Sequence, residues 1–154
     1  MLFRSTAPQT LRTTPTGATA DLIDRVRVAA DPTNNLVYLG YVIRKFTGKD
    51  QLAVLSSADN GSNWSGPRTV ATGTGTGAYF IGVPDLAIGP NHEVYAAWSD
   101  RAAWVGCDFQ FPFVAQSDGS NIFVSKSVDN GFNWTTPAIV SPVFSPYLSG
   151  GPRE

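Results

Sequence analysis

Two nearly identical stretches of the sequence each carry a carboxylate that could do chemistry. "SADNGSNW" spans residues 57–64 and "SVDNGFNW" spans residues 127–134, so Asp59 and Asp129 occupy the same position in the two copies. A free carboxylate there could serve as a general acid. In the context Asp-Asn-Gly, however, it can accept hydrogen bonds from the amides of a tight turn, which lowers its proton affinity. The pattern therefore predicts that both aspartates are structural and are poor general acids.

The rest of each stretch has the composition of a tight turn between strands. Asparagine and glycine tolerate positive φ, and glycine does so without steric cost, so the chain can reverse direction there. The serine is expected to tie the strand end to the turn, and the tryptophan to fold back over it as an apolar lid. The predicted structural residues are Ser57, Asp59, Gly61, Trp64, Ser127, Asp129, Gly131 and Trp134.

The composition predicts that strands and turns position these residues. Charged residues make up 15% of the chain, well below the roughly 25% of an average soluble protein, so few solvated helical faces are expected. Glycine and proline contribute 15 and 11 of the 154 residues. Thr, Ser, Asn, Val and aromatic residues are also frequent, which is typical of strands and turns. We therefore predict an all-β protein.

An internal repeat organises the chain. Eight residues between Ser57 and Val70 recur 70 positions later, between Ser127 and Val140, and a fixed frame of this kind indicates a structural repeat. Upstream, "VAADPTNNLVYLGY" and "LAIGPNHEVYAAW" share a strand, a proline-containing turn and a second strand that ends in an aromatic residue. Each repeat thus predicts four strands, at about 26–30, 36–44, 51–57 and 68–71 and at about 84–88, 93–99, 121–127 and 137–140.

Four short antiparallel strands per repeat are typical of a β-propeller blade. The expected organisation is a Thr/Pro-rich tail or linker at 1–21, a first blade at 22–81, a second blade with a long loop (100–120) at 82–143, and a tail or the start of a further blade at 144–154. Propellers close with four to eight blades, whereas two blades leave unpaired sheet edges. We therefore expect either that further blades complete the propeller or that copies of the chain form a ring.

Blade geometry also sorts the remaining polar residues between two faces. The turn between the first and second strands of a blade shares a face with the repeated Asp-Asn-Gly turns, so His92 and Glu93 are expected there as ordinary surface residues. The loop between the second and third strands opens on the opposite face. That face is predicted to collect Asp24, Arg25, Arg44, Lys45, Asp50, Asp85, Asp100, Arg101, Trp104, Asp108, Phe111 and Phe113.

Such a mixture of residues suits a sugar-binding surface. Aromatic rings stack on the apolar face of a pyranose, and guanidinium and carboxylate groups bind its hydroxyls or its carboxylate. The predicted ligand contacts are Arg44, Asp85, Asp100, Arg101 and Trp104. The alternative is a solvated rim with loop aromatics packed beneath it.

The pattern Ser-x-Asp-x-Gly-x-x-Trp, present in both copies, resembles the Asp-box, or bacterial neuraminidase repeat, of sialidases and related β-propellers. With its strands the resemblance covers residues 22–143. It implies a sialidase-like propeller in which the boxes lie between the third and fourth strands of a blade, away from the active site, and serve structure. It also favours an extracellular or cell-surface location, although the first 20 residues lack the apolar stretch of a signal peptide.

For activity, the resemblance implies an arginine pair that binds the substrate carboxylate and an aspartate that acts as acid/base. Arg25 or Arg27 would be the first arginine, Arg44 the second and Asp50 the acid/base; the alternative for Arg44 and Asp50 is a plain surface ion pair. Sialidases also use a tyrosine activated by a glutamate, and a third arginine from later blades. Because Glu93 and the terminal Glu are the only glutamates, the chain is expected to be non-catalytic by itself and to bind glycan or protein. The alternative is a fragment of an exo-sialidase-type glycoside hydrolase.

Other partners are not expected. The net charge is −1 and the pI is about 5.7, and no stretch clusters Lys or Arg with aromatic residues, which argues against nucleic acid. The longest apolar runs are far shorter than the ~20 residues of a membrane span. No cofactor or metal site is predicted.

Overall fold

The computed structural model describes residues 8–13, 21–73, 80–82, 84–101 and 120–141. Within these ranges the chain forms nine β-strands and no helix. The strands are β1 (Leu22–Asp31), β2 (Leu36–Arg44), β3 (Gln51–Ser57), β4 (Arg68–Thr72), β5 (Phe80–Ile81), β6 (Asp85–Ile88), β7 (Val94–Arg101), β8 (Ser120–Ser127) and β9 (Ala138–Ile139).

Strands β1 to β4 form the first sheet, in sequential order and with every pair antiparallel. The central strands β2 and β3 are rich in β-branched, aromatic and leucine side chains and are buried on both faces. The edge strand β1 begins earlier than the predicted position 26. Its pairing with β2 continues past an irregularity between Asp24 and Arg27, where Arg25 takes a φ of +59°.

The second sheet repeats this plan, except that two short strands share the edge position that β1 occupies in the first sheet. Strands β5 and β6 both pair with β7, one after the other, followed by β8 and β9. The sequence predicted β6 but not β5, because a two-residue strand has no periodicity to detect. The two strands are separated next to Pro84, which has no amide hydrogen for the ladder, and the amide of Gly82 donates to the Ser99 carbonyl at 2.6 Å.

The two sheets pack against each other and enclose the main core. Side chains alternate between the faces of a strand, so Tyr38 and Val42 of β2 meet side chains of the second sheet. Leu86 lies over Gly40, where a Cβ atom would come within 3.1 Å of the Leu86 Cδ1. The core comprises Leu36, Tyr38, Val42, Leu52, Val54, Val70, Ile81, Leu86, Val94, Ala96 and Trp98.

Aromatic contacts strengthen this interface. Trp98 of β7 and Phe123 of β8 are a cross-strand pair with stacked rings whose centroids lie 5.9 Å apart. At the edge of the interface, the Arg68 guanidinium of the first sheet lies 5.3 Å from the ring centroid of Phe132, which belongs to the second repeat. The two repeats are therefore joined by specific side-chain contacts as well as by apolar burial.

The predicted all-β class is confirmed, with two antiparallel sheets that are each four strand positions wide. The blade assignment and the domain boundaries stay predictions. No helix in the described ranges has the length and hydrophobicity required to cross a bilayer. Trp104, Asp108, Phe111 and Phe113 lie outside the described residues.

Candidate functional site

The two repeated stretches form turns with the same geometry; residues 57–64 are called turn 1 and residues 127–134 turn 2. In turn 1 the Asp59 carbonyl accepts a hydrogen bond from the amide of Ser62 at 3.3 Å. Asn60 and Gly61, between them, have φ values of +56° and +86°, which are those of a type I′ turn. The corresponding φ values in turn 2 are +60° and +84°. Asparagine followed by glycine is the pair that tolerates these angles best.

The aspartate side chain closes each turn from inside. In turn 1, Asp59 Oδ1 accepts hydrogen bonds from the Ser57 hydroxyl at 2.7 Å and from the Asn63 amide at 2.8 Å, and Oδ2 accepts from Asn63 Nδ2 at 2.6 Å. In turn 2, Asp129 has the equivalent three bonds, at 2.7, 2.8 and 2.5 Å. Both carboxylates are therefore engaged by donors of their own turn.

These hydrogen bonds lower the pKa of both aspartates. The bond from the Asn63 amide, followed by bonds from the Asn63 and Ser57 side chains, lowers the pKa of Asp59 from 3.8 to about 2. The equivalent donors, led by the Asn133 amide, lower the pKa of Asp129 to about 2. A carboxyl group with this pKa is ionised near neutral pH and holds no proton to donate as a general acid.

Serine and tryptophan complete each turn. The Ser57 hydroxyl accepts from the Gly61 amide at 2.8 Å, and the Trp64 indole nitrogen donates to the Gly61 carbonyl at 2.9 Å. The same bonds in turn 2 measure 2.9 and 3.0 Å. The tryptophans cover different surfaces, because Trp134 packs against the core between the sheets and Trp64 packs against the other face of the first sheet.

A group of charged residues lies at the opposite end of the first sheet. Arg44, at the end of β2, donates from Nη1 to Asp50 and from Nε to Asp24 at 3.3 Å. Asp24 also accepts from Arg25 Nε at 3.2 Å, and Asp50 accepts from the Lys45 amide at 3.3 Å. Asp24, Arg25, Arg44 and Asp50 are called the charged cluster.

The charged cluster has two largely buried members, Arg44 and Asp50, and two more exposed members, Arg25 and Asp24. The side chains of Arg44 and Asp50 are 13% and 6% exposed, whereas those of Arg25 and Asp24 are 38% and 47% exposed. Partial burial alone would raise the pKa of Asp24, but hydrogen bonds from Arg25 and Arg44 outweigh it, so the pKa is lowered. Arg25 and Asp24 can therefore contact a ligand directly, while Arg44 and Asp50 hold the charged cluster against the sheet.

A second ion pair borders the charged cluster. Lys45 Nζ donates to Asp21 Oδ2 at 2.7 Å, and the Phe46 amide donates to the other oxygen of Asp21 at 3.3 Å. The bond from Lys45 is the main reason that the pKa of Asp21 is lowered. The two pairs together give this end of the sheet alternating positive and negative charge.

Of the predicted ligand contacts, the structure brings Arg44 and Asp100 to the same end of the interface. Arg44 continues the side of β2 that carries Tyr38 and Val42, and Asp100 continues the side of β7 that carries Trp98. Both therefore extend the space between the sheets, opposite turns 1 and 2.

The other predicted contacts are not part of this group. Asp85 precedes Leu86 and lies on the far side of the second sheet, where it is exposed and binds the Leu86 amide at 3.0 Å. Arg101 is the last residue of β7 and lies at the end of the sheet where it was predicted. Its side chain and Trp104 lie outside the described residues. Arg27, the alternative to Arg25, is exposed and donates to the Val26 carbonyl at 3.1 Å.

A contact that the sequence did not predict joins the two repeats on the side of turns 1 and 2. His92 Nδ1 lies 2.6 Å from Asp31 Oδ2, although 61 positions separate the two residues. The Asp31 carboxylate is also bound by the hydroxyl of Thr33 at 2.7 Å and by its amide at 2.9 Å. These two bonds, with the contribution of His92, lower the pKa of Asp31 to about 2.

This pair borders a cavity of about 580 Å³ between β1 and β6, whose other walls are mainly alanine, proline and aliphatic side chains. His92 has a φ of +67°, an angle that non-glycine residues rarely adopt. No local signal in the sequence could have revealed the pair, since it depends on how the two sheets pack. Within the described ranges, no three His, Cys, Asp or Glu side chains are grouped so that they could hold a metal ion.

Comparison with known proteins does not assign the chain to a family. No protein-family model matches it, and no curated protein matches it in sequence. Function must therefore be inferred from the two ends of the interface between the sheets.

Proposed function

We propose that the chain is a sialidase-like β-propeller module, non-catalytic by itself, that binds an acidic glycan at the end carrying the charged cluster. The observation that carries the proposal is that Arg25 and Arg44 both donate to Asp24, and Arg44 also donates to Asp50. These residues lie at the end of the interface toward which Asp100 also extends. Guanidinium groups bind carboxylates in defined geometry, and the intervening aspartates accept hydrogen bonds from sugar hydroxyls.

The difference between the turn aspartates at one end of the interface and the charged cluster at the other end supports this proposal. Asp59 and Asp129 are engaged within their own turns, and their low pKa values make them unsuitable as acids. The exposed part of the charged cluster is Arg25 and Asp24, which can exchange partners with a ligand at little cost because exposed ion pairs contribute only ~0 to 1 kcal/mol. Arg101 and Trp104 are proposed as further contacts on the basis of the sequence.

The second candidate function is a fragment of an exo-sialidase-type glycoside hydrolase. It is favoured by the direct contact between Arg44 and Asp50, the residues that the resemblance implies as carboxylate-binding arginine and acid/base. Against it, both Asp50 oxygens already accept hydrogen bonds, from Arg44 and from the Lys45 amide. A catalytic acid/base must instead exchange its proton with the substrate.

Calorimetric titration of the protein with sialyllactose, and with lactose as the neutral comparison, tests glycan binding. We expect weak binding of the acidic sugar only, and an approximately tenfold loss in Arg25→Gln, because one charge-assisted hydrogen bond contributes about 1.5 kcal/mol. Lys126→Gln is the matched control, since Lys126 is exposed at the other end of the second sheet. Equal heats for both sugars, or equal losses in both variants, would argue against the proposed site.

A fluorogenic sialoside separates the two candidate functions. The proposed module should not turn it over at any pH between 4 and 8 (roughly the range in which carboxylates and histidines titrate). Turnover by the wild type that disappears in Asp50→Asn would establish the hydrolase instead. A glycan array without any signal would favour a protein ligand.

A further inference from the structure

The charged cluster is built on an irregularity of β1. Arg25 and Val26 lie opposite the single residue Tyr41 of β2, because the pairing shifts by one residue between Asp24 and Arg27. An insertion of this kind is a β-bulge, and where its first residue takes left-handed backbone angles that residue is typically glycine. Here it is an arginine with a φ of +59°, an angle that a side chain with a Cβ atom disfavours. The chain thus holds an arginine where the backbone favours glycine.

The bulge brings two neighbouring side chains together. In a regular strand, successive side chains point to opposite faces of the sheet. At the bulge, Arg25 Nε instead lies 3.2 Å from Oδ2 of the adjacent Asp24. Asp24 also shares a side of the sheet with Arg44, because its strand partner Val42 and Arg44 are two positions apart on β2. Two arginines therefore surround one carboxylate.

Both guanidinium groups donate to the same oxygen of that carboxylate. Asp24 Oδ2 accepts from Arg25 Nε at 3.2 Å and from Arg44 Nε at 3.3 Å. Because an arginine Nε atom carries one hydrogen, both of these donors are engaged. Guanidinium groups bind the carboxylate of a ligand in the same way. A ligand that uses the two Nε donors must therefore take the place of Asp24.

The net charge of the cluster does not favour an anion. Its two arginines and two aspartates sum to zero, and the bordering pair of Lys45 and Asp21 also sums to zero. Attraction between unlike charges weakens with distance and is screened by salt, so an acidic ligand gains from the arginines mainly in direct contact. At that distance it meets the charge of Asp24.

Both arginines have anchors that do not depend on Asp24. Arg44 also donates to Asp50, and these two side chains are only 13% and 6% exposed. The backbone of Arg25 is held by the strand pairs on either side of the bulge. The Asp24 side chain is 47% exposed, more than any other member of the cluster. Asp24 is therefore the member that can turn toward solvent while the arginines stay in place.

We propose that Asp24 is an internal competitor of the ligand: it occupies the arginine pair in the free protein, and an acidic ligand binds by displacing it. The inference rests on the proposed function for the identity of the ligand, whereas competition with Asp24 applies to any carboxylate. It predicts that removing the charge of Asp24 strengthens binding. If Asp24 instead positioned the arginines for the ligand, its removal would weaken binding, because the donors would lose their preorganisation.

The variant Asp24→Asn distinguishes the two roles, because it removes the charge and keeps the shape of the side chain. Acetate, a carboxylate without a sugar, is titrated near neutral pH at constant ionic strength, and the NMR signals of the arginine Nε–H groups report its binding. We expect Asp24→Asn to bind acetate about tenfold more tightly than the wild type, since a neutral amide replaces the competing carboxylate.

Asp21→Asn is the matched control. It removes the same charge beside the cluster, but Asp21 is bound by Lys45 and not by the arginine pair. Its effect on acetate binding should stay within about twofold, because the general loss of one negative charge is screened by salt. Asp24→Ser, a second replacement at the same exposed position, should show the gain of Asp24→Asn, and circular dichroism verifies that each variant is folded.

The proposal is overturned if Asp24→Asn binds acetate no better than the wild type, if Asp21→Asn gains as much, or if acetate moves the arginine signals of neither protein. Sialyllactose, titrated into the wild type and Asp24→Asn, separates this result from the glycan function. A gain for acetate without binding of sialyllactose would support the internal competitor and reject the acidic glycan. Sialyllactose binding by the wild type, with no gain for either ligand in Asp24→Asn, would support the glycan and reject the competitor.

Discussion

Replacing Ser127 with alanine tests how turn 2 holds the second sheet. Ser127 is 2% exposed, and its hydroxyl donates to Asp129 while accepting from the amide of Gly131, which is itself buried. Alanine removes the hydroxyl without adding volume. The change therefore isolates the hydrogen bonds from the packing of the turn.

The magnitude follows from what the substitution leaves unpaired. The Gly131 amide loses its acceptor in a buried position, and an unsatisfied buried group costs about 1 to 3 kcal/mol. Asp129 retains its two donors from Asn133, so its carboxylate stays partly compensated. We therefore expect a loss of about 2 kcal/mol in the free energy of unfolding, and a melting temperature lower by several degrees.

Urea unfolding followed by tryptophan fluorescence measures this loss. The midpoint should fall while the slope of the free energy against urea stays constant, since the surface exposed on unfolding does not change. Ser57→Ala removes the same bonds from turn 1, where Gly61 is only half-buried, and should cost less. Ser62→Ala, at an exposed position of turn 1, should stay within about 0.5 kcal/mol of the wild type.

The reasoning fails if Ser127→Ala is as stable as Ser62→Ala. That result would mean that water or a rearranged turn satisfies the Gly131 amide at no cost. A larger loss in Ser57→Ala than in Ser127→Ala would contradict the argument from burial.

Three further outcomes are expected. The turn aspartates have a pKa of about 2 in the folded protein, against an ordinary value of 3.8, so the stability that they confer should be complete above pH 3.8 and should disappear as the pH falls toward 2. Measuring the unfolding midpoint at a series of acidic pH values tests this. Gly40→Val should destabilise by about 1 to 3 kcal/mol because its side chain would meet Leu86, and Leu86→Ala should lose less in that background than in the wild type, which a double-mutant cycle measures. Arg44→Met should cost about 3 kcal/mol, because it takes from the largely buried Asp50 its charged partner, and adding Asp50→Leu should recover part of the loss in thermal unfolding.

The strands and turns of this protein were largely predictable because their causes are local. Short, largely apolar runs identified β2 and β3 at the bounds that the structure shows, and the repeat identified the second sheet. The turn chemistry lies within eight residues, so Asp59 and Asp129 could be assigned to backbone amides before any fold was known. The exceptions were β5, which is too short to have a period, and the early start of β1.

The candidate site was predictable only in part. The spacing of the strands correctly put Arg44, Asp50 and Asp100 at one end, since the ends of antiparallel strands follow from their order. It also grouped Asp85 with them, although Asp85 lies on the far side of its sheet, because the side on which a residue projects depends on register.

Tertiary structure alone decided how equivalent residues are used. Tyr38 and Tyr95 hold the same repeat position, yet the first is 0% exposed beneath the second sheet and the second is only half-buried. The contact of His92 with Asp31 likewise exists only because the two sheets meet, across 61 positions of sequence. The sequence by itself determined the turns and strands, since these depend on neighbours along the chain and on the apolar and β-branched residues within each strand. Burial and the pairing of charged groups depend on which sheet covers which, and packing between distant segments determines that.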